Sequence, residues 1–111
     1  MNELDLHREV RRLFQKLEAY GLVVAVDTSR NSGKAPRSRG MNGFSDWMVM
    51  AKGPRIGFLE LKHPEGGGRL SDEQMNFRTR VQSIGLLWRE TSSMEEVSLF
   101  LNELGVQCRN S

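Results

Sequence analysis

The chain has 111 residues, 38% hydrophobic and 27% charged, with a formal net charge of +2. That is one ordinary globular domain with a single modest core. No apolar run approaches the roughly 18–20 residues of a membrane span. The opening Met1-Asn2-Glu3-Leu4-Asp5 is unlike a signal peptide, and the lone Cys108 excludes an internal disulfide and a multi-cysteine zinc site. A reducing, cytoplasmic setting is the expectation.

Asn2 is placed to cap a helix whose first turn carries Glu3 and Asp5 at the positive end of the dipole. Leu6, Val10, Leu13, Leu17 and Tyr20, with Phe14 beside them, recur at three- and four-residue steps and predict one buried stripe. Gly21 ends the helix, and Leu22–Val26 reads as a buried β-branched strand. Residues 28–43 hold three Gly, one Pro, three Ser, two Asn and four basic side chains, and have no hydrophobic period. They predict a loop. Residues 28–69 carry 8 basic and 3 acidic side chains, a net +5 that the slightly acidic ends hide in the total. A basic island of this kind attracts polyanions.

Phe44–Ala51 and Arg55–Lys62 read as the two strands of a hairpin around Lys52-Gly53-Pro54. Pro64 and Gly66-Gly67-Gly68 end the second strand. A helix from Ser71, with Phe77, Val81 and Ile84 inward, stops at Gly85. Leu86-Leu87-Trp88 is a short strand. Ser92 or Ser93 then caps a last helix with Met94, Val97, Leu101 and Leu104 as its stripe. Residues 1–106 are expected to form one domain and 107–111 a frayed tail.

Asp46, Glu60 and Lys62 carry the chemistry. The period of two puts Glu60 and Lys62 on one face of their strand, with Leu59 and Leu61 on the other. Ionisable groups on an apolar strand are costly to bury unless paired or bound to a metal. With Lys52-Gly53-Pro54 as the turn, Ala51 faces Arg55 and Asp46 falls opposite Glu60. Facing carboxylates lie about 5 Å apart at Cβ and repel. They ask for a cation, and an all-oxygen donor set selects a hard ion, Mg²⁺ or Mn²⁺. The Leu61 carbonyl is a further candidate ligand. Trp47 and Trp88 read as core rather than as base-stacking platforms.

Gly43-Phe44-Ser45-Asp46, Glu60-Leu61-Lys62 and Leu70-Ser71-Asp72-Glu73-Gln74 together resemble the VRR-NUC family, the virus-type replication-repair branch of the PD-(D/E)xK nucleases. The resemblance spans about Glu3 to Leu104. It implies an α/β restriction-endonuclease-like core, order α-β-β-β-α-β-α, with a mixed sheet flanked by helices. It also implies a metal-dependent endonuclease acting on DNA, with branched substrates (Holliday junction, fork or flap) in replication, repair or phage DNA processing, in a bacterial or phage-infected cytoplasm. Asp46 and Glu60 would hold the ion, with Glu3, or Glu9 as fallback, as a first-helix acid. Lys62 would orient the attacking water, and Gln74 would point into the site. Ser45 stands where many superfamily members have proline, and His7 where relatives often have glutamine.

Each feature has a plainer reading. Ser71-x-x-Gln74 is also a capping box, and Glu3 also suits a helix dipole. The loop residues Arg30, Lys34, Arg37 and Arg39 are expected to contact the phosphate backbone with little base readout. Symmetric cleavage of a junction would need two sites, hence a homodimer. The rivals are a non-catalytic nucleic-acid-binding module using loop 28–43 and a small structural protein whose charged cluster is a buried ion pair.

Overall fold

The structure, a computed structural model, describes residues 2–28, 43–64 and 69–107. The order is α1 (Glu3–Ala19), β1 (Val23–Asp27), β2 (Trp47–Ala51), β3 (Arg55–Leu61), α2 (Asp72–Ser83), β4 (Leu87–Thr91) and α3 (Met94–Glu103). The four strands form one sheet in the order β1-β2-β3-β4. The first three are antiparallel neighbours, and β4 lies parallel to β3 after the α2 crossover. The fold is therefore an α/β domain with a mixed sheet and three helices, in the element order expected.

Local chemistry explains the ends of these elements. Asn2 and Asp5 form a reciprocal capping box on α1, Ser71 and Gln74 do the same on α2, and Ser93 accepts the Glu96 N–H at the start of α3. The β2–β3 turn is the expected one: Ala51 faces Arg55, and the register runs back to Trp47 opposite Leu59.

Each face of the sheet has its own core. Leu6, Val10, Phe14 and Leu17 of α1 and Val97, Phe100 and Leu101 of α3 pack on Val49, Leu59 and Leu61. Gly57 belongs to this face, where a Cβ would stand 2.8 Å from the Phe100 ring. On the other face Phe58, Trp88 and Val81 are buried with Phe44, Met48 and Phe77 around them. The Phe44, Phe58 and Phe77 rings lie 4.7–5.8 Å apart at their centroids.

Several expectations change. β1 is an edge strand, and its outward residues are exposed, Val24 by 55% and Val26 by 37%, because α2 packs over the β4 side of that face. Tyr20 and Ile84 are at the C-caps of α1 and α2, beyond the buried turns, and both are exposed. β4 continues to Thr91 rather than stopping at Trp88, and Phe100 joins the α3 stripe. β2 begins at Trp47, so Asp46 stands just before it. Trp47 and Trp88 are core residues as expected, each 5% exposed. Among the described residues, no helix is long and apolar enough to cross a membrane.

Candidate active site

The site forms where β2 begins and β3 ends. Asp46 is held from both sides by backbone. Thr28, just after β1, donates its N–H to the Asp46 carbonyl at 2.9 Å, and its hydroxyl donates to the Ser45 carbonyl. The Ser45 hydroxyl, buried to 1% exposure, donates to the Trp47 carbonyl at 3.1 Å. Ser45 thus shapes the chain entering β2. Gly43 adopts φ +79°, and a Cβ there would collide with the Glu73 backbone, so this stretch packs directly on the first turn of α2.

Asp46 and Glu60 then lock together. The Leu61 N–H donates to Asp46 Oδ2 at 2.8 Å, and the Asp46 N–H donates to the Glu60 carboxylate. The β2–β3 ladder ends at Trp47 opposite Leu59, and Asp46 and Glu60 are the next residues outward on the two strands. Leu61's carbonyl shares its strand edge with its N–H and so faces Asp46 as well.

Glu60 is 5% exposed. Burial first, and the Asp46 charge second, push its carboxyl up from 4.5 to about 8, against the opposing pull of Lys62. Lys62 Nζ lies 3.9 Å from Glu60 Oε2. Gln74 donates its amide N–H to the same oxygen at 3.1 Å. The capping box and the site contact of Gln74 coexist. Its Oε1 accepts the Ser71 N–H at 2.9 Å, which turns the amide nitrogen toward Glu60.

Asp46, Glu60, Lys62 and Gln74 are therefore brought together. Glu3 is not: it is exposed in the first turn of α1. α1 runs antiparallel to β1, since Glu18 accepts the Ala25 N–H and Arg11 pairs with Asp27. Its N-terminus thus lies at the Asp46 end of the sheet. Among the described residues, however, no group of three or more His, Cys, Asp or Glu side chains is placed to hold a metal. The fallback Glu9 pairs with Arg12 at 2.9 Å. Arg30, Lys34, Arg37, Arg39 and the tail Cys108 lie outside the described residues.

A further acid joins the site from β4. Glu90 of β4 is the register partner of Glu60 and faces the same side, and its charge adds to the upward push on Glu60. The polar Arg89-Glu90 pair disguised the strand, and only the parallel β3–β4 pairing sets the two acids side by side.

The donor set fits a hard divalent cation. Two facing carboxylates and a backbone carbonyl are oxygen ligands, and a cation there would counter the burial and the Asp46 charge that push the Glu60 carboxyl up. No family model, curated protein or solved structure matches this chain.

Proposed function

We propose that the protein is a Mg²⁺- or Mn²⁺-dependent endonuclease that hydrolyses DNA phosphodiester bonds, on a restriction-endonuclease-like core. The observation that carries this reading is the buried Glu60 carboxylate, met at once by Asp46, Lys62 and Gln74. A structural ion pair has no use for a second acid beside the first, and a passive DNA binder gains nothing from carboxylates that repel phosphate.

Asp46 and Glu60, with the Leu61 carbonyl, would hold the ion. When bound, the ion supplies hydroxide near neutral pH and neutralises charge on the scissile phosphate. Lys62 orients the attacking water and offsets negative charge as it develops on the phosphate oxygens. Gln74 fixes the Glu60 carboxylate through its N–H. The resemblance favours branched DNA as substrate, in replication, repair or phage DNA processing, and a homodimer where two strands are cut.

The test is cleavage of labelled linear, forked and four-way DNA in Mg²⁺, in Mn²⁺ and in chelator. Glu60→Ala and Lys62→Ala should each lower the rate at least about 100-fold. Cleavage that survives both substitutions would remove the assigned site. Binding without cleavage in either metal would favour the non-catalytic module.

A further inference from the structure

We infer that Arg78 is a phosphate-binding residue of the same site, taking an oxygen of the DNA backbone phosphate next to the one held at Asp46 and Glu60. This rests on the nuclease reading above. Arg78 is four residues beyond Gln74, so the two share one face of α2 about 6 Å apart along its axis. That face lies against the sheet: Gln74 reaches Glu60, and the Arg78 guanidinium sits 5.5 Å from the centre of the Trp88 ring. Trp88 is two residues before Glu90 in β4, and Glu90 is the register partner of Glu60. Arg78 is therefore held about one pleat from the carboxylates, on their own face of the sheet.

Its partner is an aromatic ring. Arg11, Arg12 and Arg89 each pair with a carboxylate, Asp27, Glu9 and Glu103, at 3.0, 2.9 and 2.5 Å. Among the described residues, Arg78 has an aromatic face and neither a carboxylate nor a hydrogen-bond acceptor. A guanidinium stacked on a ring keeps its in-plane N–H donors, and those donors match phosphate oxygens. The side chain is half-buried, so much of the ordering it would undergo on binding has already occurred. Glu60 and Glu90 make the surroundings acidic, and a positive charge here offsets their repulsion of an incoming phosphate.

The experiment is binding of a short fluorescent DNA duplex, by anisotropy, across a KCl series in EDTA, where divalent-dependent cleavage is off. Arg78→Gln and Arg78→Ala should weaken binding several-fold at low salt and reduce the log–log salt slope by about 0.9, while Arg78→Lys keeps the slope. A merely structural stack on Trp88 would shift the melting temperature and leave the slope alone. An unchanged slope in both neutral variants therefore overturns the inference, whether or not the protein cleaves DNA. Wild-type protein that binds but never cleaves in Mg²⁺ or Mn²⁺ sinks the nuclease reading alone, and the slope difference still supports Arg78 at a phosphate. Wild-type protein with no salt-dependent DNA binding overturns both.

Discussion

Leu59 and Glu60 are neighbours in β3, and both are buried, at 0% and 5% exposure, yet they face different environments. Leu59 points into the apolar core that it shares with residues of α1 and α3. Glu60 points under the first turn of α2, toward a second acid, a lysine and an amide. The first face is built for cohesion. The second gives up cohesion at one end to keep charged groups close together in a poorly solvated place. In a domain this small the two roles sit back to back across one sheet, one residue apart.

The largest effect should come from breaking the cohesive face. Leu59→Ala is expected to cost about 2–5 kcal/mol, since α1 and α3 pack on the site from one side and cannot readily collapse into it. Denaturant unfolding would show it as a lower midpoint with an unchanged m-value.

Next comes the charged face. The Glu60 carboxyl sits at about 8 in the fold against 4.5 as the ordinary value. The folded state therefore binds more protons than the unfolded state between these limits. Stability should fall as pH rises from about 4.5 and level off above about 8. Glu60→Gln, measured without metal, should remove that slope. Its gain over wild type should be of the order of a few kcal/mol above pH 8 and vanish below pH 4. Parallel stability–pH curves for the two proteins would show that Glu60 is not strained.

The smallest expected effect sharpens the contrast further. Gln74→Ala removes both the capping-box acceptor and the donor to Glu60, and should cost about 1 kcal/mol in thermal unfolding. Gln74→Glu keeps the cap but sets a third acid against Glu60. Its loss should appear at high pH and disappear in acid, whereas the alanine loss persists at both.

Much of the site was legible in the chain because it hangs on short-range rules. The Lys52-Gly53-Pro54 turn sets a register in which Asp46 meets Glu60, and strand alternation sets Lys62 beside Glu60. The capping pattern marked Gln74 correctly as a cap without telling that the same amide also reaches Glu60. The exposure of Val24 and Val26 was not legible either, since a β-branched run looks the same in an edge strand as in a buried one.

The sequence by itself determined the elements, their caps, the hairpin register and hence the Asp46–Glu60–Lys62 cluster, because each depends on residues close in the chain and on fixed periods of 3.6 and 2. Only the tertiary structure decided that α2 carries Gln74 and Arg78 over the end of β3, that the parallel pairing sets Glu90 beside Glu60, and that Glu3 stays outside the acid cluster. Those placements depend on how helices pack on a sheet across long stretches of chain, where no local period reports the outcome.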